Sequence, residues 1–169
     1  MKVENSKLFY RGFLSLILLV GLIWLRSGFI KLTEGTFAGN LSSVLVKFAS
    51  SNPYPFYKNF LQNTAIPNSV MLGNLVMWGE ILTSLAITIS VIFLLLYSRR
   101  SKAAIILLLA GLSGGIFLNL NFWLASAWTG AAADALNVLM MFTQLIGLVT
   151  LLLYLKTMKN PRLPTCATS

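Results

Sequence analysis

A few strongly polar side chains lie inside long apolar stretches of this sequence: Arg26, Lys31, Glu80, Asn119, Asn121 and Asn137. An unpaired charge at the centre of a membrane helix costs about 2.5–3.5 kcal/mol, and less near the interface, so such residues are a functional hypothesis by default. A guanidinium and a carboxylate form charge-assisted, often bidentate hydrogen bonds. Arg26 and Glu80 are therefore the expected pair, either lining a site or only locking one helix to the next. Lys31 is read as snorkelling to the outer interface, and an amide such as Gln144 commonly bonds between helices.

Composition identifies the stretches that hold these residues. The chain has 169 residues, 57% hydrophobic and 10% charged, with mean hydropathy +0.80, against about a quarter charged in a soluble domain. Apolar runs at 10–32, 70–97, 103–127 and 135–155 each approach or exceed the ~20 residues that cross ~30 Å of hydrocarbon. The first run is longer than a signal peptide's and no small-residue cleavage site follows it, so it is expected to stay as a helix. The predicted fold is all-α: one integral membrane domain, 1–169, forming a four-helix bundle. No histidine is present and Cys166 is the lone cysteine. That removes His-based triads and relays, most zinc sites and any intrachain disulfide.

The net charge of +9 would point to nucleic acid in a soluble protein. Here the basic residues flank the apolar runs, so they read as topology signals and as a match for anionic lipid headgroups; the expected partner is the lipid bilayer, with no nucleic acid. Lys2, Lys7 and Arg11, then Arg99, Arg100 and Lys102, then Lys156, Lys159 and Arg162 fall on one side after four crossings. The positive-inside rule makes that side cytoplasmic, with both termini there. Measured from that side at ~1.5 Å per residue, Arg26 lies about 22 Å up, Glu80 and Asn137 about 28 Å, Asn119 about 24 Å and Asn121 about 27 Å. All four helices thus bring a polar group to one layer in the outer half. Glu80, Thr83, Ser84 and Thr88 share a face, as do Asn137, Met140, Met141 and Gln144. Gly111 and Gly115 permit close helix approach and turn Asn119 inward. Asp134 opens the fourth helix, where an acid complements the dipole. Trp78, Trp123 and Trp128 are read as belt residues.

Between the first two runs lies an outer loop, 33–69, predicted to contain short amphipathic helices. Leu41, Val44, Leu45 and Phe48 have the spacing of one helix face, with Asn40 a candidate N-cap. Asn52-Pro53-Tyr54-Pro55 breaks it, Phe56, Tyr57, Phe60 and Leu61 form a second patch, and Pro67 suits the first turn of the next helix. The segment is expected in the interface, over the bundle or simply as an anchor.

Arg26, Gly28-Phe29-Ile30-Lys31, Asn52-Pro53, Gly79-Glu80, Asn121-Phe122-Trp123 and Asn137 resemble the DoxX/DoxD group of small four-helix membrane proteins. The stretch 37–60, rich in aromatics and proline, looks most like the DoxD branch, the small subunit of thiosulfate:quinone oxidoreductase. The resemblance implies a subunit of a prokaryotic plasma membrane that passes electrons from thiosulfate or a related sulfur compound to quinone. No cofactor is covalently bound, quinone is the electron acceptor, and a second subunit or a homo-oligomer completes the assembly. In it Arg26 and Glu80 would be catalytic, the basic residues attracting an oxyanion and Glu80 holding Arg26 or taking a proton. Lys31, Asn119, Asn121 and Asn137 would bind substrate or the quinone head. Thr83 and Ser84 stand where relatives often carry glycine. Two other readings remain open: a non-catalytic scaffold docking a partner, and a small-molecule binding or transport protein.

The three basic clusters make a direct prediction. In a background lacking Cys166, cysteines at Asn52 and at Ser101 should react with an impermeant thiol reagent from opposite sides of the membrane. Reaction of both from one side would overturn the topology.

Overall fold

The computed structural model describes residues 2–97 and 101–159, with side chains from 8 to 157; Arg99, Arg100, Arg162 and Cys166 lie outside the described residues. The elements run α1 (Lys2–Glu34), α2 (Phe37–Ser50), α3 (Pro55–Phe60) with a π-helical continuation (Leu61–Ala65), α4 (Ser69–Leu96), α5 (Lys102–Ser126), a 3-10 turn (Ala127–Thr129) and α6 (Ala131–Lys159). Among the described residues, four segments are long and apolar enough to cross a membrane: Leu8–Glu34, Ser69–Leu96, Lys102–Thr129 and Ala131–Thr157. The all-α four-helix membrane bundle is as the composition predicts.

The helices form a ring in which α1 and α5 each touch both α4 and α6. Leu14, Ile17, Val91, Leu94, Ile105, Leu108 and Leu112 fill the half remote from α2 and α3, all of them essentially inaccessible. Small residues set the helix spacing, as in other membrane bundles. A Cβ on Gly28 would lie 3.3 Å from Glu80 Cβ and 2.8 Å from Ile81, so α1 and α4 touch at that level. A Cβ on Gly115 would lie 2.3 Å from the Gln144 amide, so this glycine makes room for a polar side chain from α6.

Aromatic residues mark two levels. Tyr10, Tyr97 and Tyr154 lie at one end, and Trp78, Trp123 and Trp128 at the end that α2 and α3 cover. From Trp78 to Tyr97 the rise along α4 is about 28 Å, close to the ~30 Å thickness of hydrocarbon. Outward-facing residues between these levels, such as Leu19, Leu82, Ile89 and Val149, are apolar and exposed, as a lipid-contacting surface requires.

The connection between α1 and α4 folds over one end. Gly35, at φ 66°, takes the left-handed conformation that ends a helix, and α2 starts at once. The expected N-cap Asn40 is therefore wrong: its N–H already bonds the Thr36 carbonyl at 3.0 Å, and Thr36 is the cap residue. Pro67 is likewise not in the first turn of α4. The π-helical turn runs the preceding helix on to Ile66, whose N–H bonds Leu61 O at 2.9 Å, so Pro67 terminates that segment and Asn68 takes the N-cap position of α4, with its side chain bonded back to Thr64 O instead. Leu45, Ala49, Tyr57, Leu61, Ala65 and Ala125 make a second apolar core beneath this cap. Asn52 clips the cap in place, with its Nδ2 donating to Leu124 O at 3.0 Å and its Oδ1 accepting from Tyr54 N at 2.9 Å; it is thereby buried, so the neighbouring exposed Ser51 is the better outer position for the cysteine-labelling test.

At Gly73 a Cβ would stand 2.7 Å from Ala38 Cα, a backbone atom of α2. Gly73→Val should lift α2 from α4, lowering stability by about 1–3 kcal/mol and speeding amide exchange in α2 more than in α5. Unchanged exchange in α2 would show that the contact does not hold it.

Candidate functional site

The acid at the centre of the covered half is Glu80. It is 0% exposed and forms an ion pair with Lys31, 18% exposed. The ammonium also donates to Ser27 Oγ at 3.2 Å and sits 5.0 Å from the Phe37 ring centroid and 5.4 Å from that of Phe122. Ser27 and Lys31 are one turn apart on α1, on the side that meets α4. Lys31 thus turns inward rather than snorkelling out, because a fully buried carboxylate needs a cation and the lysine stem reaches it.

Arg26 is not the partner of Glu80. It is exposed, and its guanidinium makes no ion pair or hydrogen bond with a described residue. Along the helix, Lys31, about 30 Å up, matches Glu80 more closely than Arg26 does, and rotation agrees. At about 100° per residue, Arg26 lies roughly opposite Gly28, which contacts Glu80. Near the covered-end interface its long side chain can reach the lipid headgroups.

The asparagines divide. Asn119 is 1% exposed and donates to Gln144 Oε1 at 2.9 Å, tying α5 to α6. Asn121 is half-buried. Tyr57 Oη donates to its backbone O at 3.1 Å, with Oδ1 at 3.3 Å, while Asn121 Nδ2 bonds Phe117 O at 2.8 Å. Asn137 Nδ2 donates to Ala133 O at 2.8 Å, within its own helix, and is not joined to the Lys31–Glu80 pair. Asp134 accepts from Trp123 Nε1 at 2.8 Å in addition to opening α6. Burial pushes the Tyr57 hydroxyl from its ordinary 10.0 up to about 12, so it remains a donor over the whole physiological range.

Tyr57, Ser27, Phe37 and Phe122 were not singled out individually as site residues by sequence. Ser27 and Lys31 are spaced i, i+4, which was a usable signal once Gly28 was recognised as the contact point. Phe37 had none, and Phe122 figured only within the Asn121-Phe122-Trp123 resemblance, since aromatic residues are frequent along the chain.

Under α2 and α3 is an apolar cavity of about 380 Å³. Its walls include Leu41, Leu45, Leu72 and Phe117, with Tyr57 and Asn121 supplying polar groups. Phe37 and Phe122 also line it, so the Lys31 ammonium stands behind two of its walls. Glu80 Oε2 is buried without a hydrogen-bond partner. That unshared oxygen can accept a proton, and within the cavity the second N–H of the Asn121 amide can donate to a ligand oxygen.

The arrangement defines a class of protein, a small four-helix membrane bundle with a buried lysine–glutamate pair beside a capped apolar cavity. No family model, curated protein or solved structure matches the chain.

Removing one member of the pair strands the other charge. Lys31→Met should destabilise by about 3–5 kcal/mol. Lys31→Met combined with Glu80→Gln should recover most of that, while Arg26→Met should change thermal stability little. Additive losses in the double mutant would show that Lys31 and Glu80 do not interact.

Proposed function

We propose that the chain is the quinone-binding membrane subunit of a sulfur-compound:quinone oxidoreductase of the DoxD kind, in a prokaryotic plasma membrane, with both termini cytoplasmic and the capped cavity on the outer side. The single observation that carries this is the cavity: about 380 Å³, apolar, walled by aromatic rings and held against an ion pair at the membrane interface. Ligand pockets are mostly apolar with a few placed polar groups, and a quinone has a flat apolar ring with two carbonyl oxygens. Tyr57 and Asn121 can orient such a ring. Quinone reduction takes up two electrons and two protons, and Glu80 is a nearby group able to pass a proton.

The donor half of the reaction is placed elsewhere. Thiosulfate is a dianion, and Lys31, neutralised by Glu80, offers it no net positive field. Arg26 faces away from the cavity. Oxidation of the sulfur compound is therefore assigned to a partner subunit docked at the capped side. A second reading, a non-catalytic scaffold, is favoured by one observation: Asn119 and Asn137 are occupied within the protein. Transport is disfavoured because α4 and α5 cross without a break, unlike the discontinuous helices of many transporters.

Protein extracted in mild detergent should carry quinone in near-stoichiometric amount, measurable by solvent extraction and chromatography. Leu45→Trp, which fills the cavity, should cut that content about tenfold, equivalent to ~1.4 kcal/mol. Folded protein with no more quinone than the surrounding lipid would refute the quinone site and leave the scaffold.

A further inference from the structure

The residues lining the cavity differ sharply in exposure. Leu61 and Ala65 are buried at 1% and 2%, whereas Phe60, Leu75 and Phe117 are exposed at 38%, 60% and 66%. The exposed three mark the mouth. Leu75 and Phe117 belong to α4 and α5, two helices that cross the bilayer, and the mouth is wholly apolar. Leu75 is three residues from Trp78, about 4.5 Å along α4, so the mouth opens at the level where headgroups meet acyl chains. Above it the cap is fastened on several sides. Gly73 meets Ala38 backbone, Asn52 bonds Leu124 O, and Tyr57 bonds Asn121.

The far wall is different. Phe37 and Phe122 stand there with the Lys31 ammonium over both rings. The ammonium is behind these rings and does not line the cavity; the lining donor is the neutral amide of Asn121, whose Nδ2 gives one N–H to Phe117 O and keeps the other. The pair is neutral overall, and Glu80 would repel a second carboxylate. The cavity therefore has a polarity axis, from a neutral hydrogen-bond donor within to a lipid-facing apolar mouth. Its volume of about 380 Å³ lies at the low end of the range for ligand pockets. It can hold a head and the beginning of a chain, with the remainder trailing into lipid.

We infer that the cavity takes its ligand sideways from the bilayer, head first between α4 and α5, and that the ligand is an uncharged chain-bearing amphiphile with an acceptor oxygen in its head. The inference deepens the quinone-site reading and rests on it for the identity of the head, but not for the route. Water-borne molecules are not its ligands, and a fatty-acid carboxylate is selected against at the inner wall.

The test uses the full chain in lipid nanodiscs and four probes: a decyl-substituted benzoquinone, the same ring without its chain, decanol and decanoate. Binding is measured by calorimetry in the wild type, in Leu75→Trp/Phe117→Trp, and in Leu82→Trp, which alters an exposed position of α4 outside the cavity (64% exposed). The expected result is binding of the decyl quinone, weakened at least about tenfold, ~1.4 kcal/mol, by the double substitution and unaffected by Leu82→Trp. The chainless ring and decanoate should bind at least about tenfold more weakly than their counterparts. Equal binding by the double variant, given an unchanged thermal transition, would overturn the route. So would equal binding of the chainless ring. Decanol that depends on the mouth, with no binding of the decyl quinone, would sink the quinone reading and leave sideways access standing. A wild type that binds none of the four would overturn both.

Discussion

A carboxylate with no exposure to solvent, inside a membrane protein, can persist as an anion only beside a cation. Glu80 is that carboxylate and Lys31 is its cation. Much of the covered half of the bundle follows from their meeting. For the ammonium to reach Glu80, α1 must present Ser27, Gly28 and Lys31 to α4, and Gly28 allows the two helices to touch there. Once that rotation is set, Arg26 has nowhere to go but the outside. The aromatic rings of Phe37 and Phe122 complete the environment of the ammonium by cation–π contact, an interaction that strengthens as water is removed. These same rings are cavity walls, so the ion pair and the cavity are two sides of one construction.

The cap depends on a second set of interactions, mostly apolar. Leu45, Ala49, Tyr57, Leu61 and Ala65 bury against Ala125 and Leu124. Two hydrogen bonds from the cap to α5 supply direction rather than bulk energy: Asn52 to Leu124 O and Tyr57 to Asn121 O. Both end on backbone carbonyls near the end of α5, where acceptors lack intrahelical partners or can be shared. The result is a rigid roof over a space that the four spans alone would leave open. Further down, Asn119 and Gln144 join α5 to α6, a hydrogen bond of the kind that gives direction to packing between otherwise uniform apolar faces.

The spans were legible in the sequence, because hydrophobic length measures them directly. The face containing Glu80, Thr83 and Ser84 was legible too, and all three are buried. Partner choice was not. Arg26 and Lys31 differ by five residues, about 7.5 Å in height and about 140° in azimuth, and the contact of Gly28 with α4 favours Lys31. Asn119 turned inward as the glycine spacing predicted, whereas Asn137 satisfied its amide on its own helix, an outcome that no spacing rule reveals. Amphipathic spacing located α2 but misplaced its start, since Gly35 ends α1 so abruptly that the next helix begins before Asn40. The cavity itself was invisible. It forms from residues on α2, α3, α4 and α5 whose proximity depends on the fold of the cap.

The claim on which these relations hang is the identity of the partner of Glu80. Magic-angle-spinning NMR on protein in lipid bilayers, with 13C-labelled glutamate and 15N-labelled lysine and arginine, measures it without a mutation. A Glu80 Cδ to Lys31 Nζ dipolar contact corresponding to a separation of about 4 Å, with none to the Arg26 guanidinium, is the predicted result. A Glu80 contact to Arg26, or to neither nitrogen, would contradict the account.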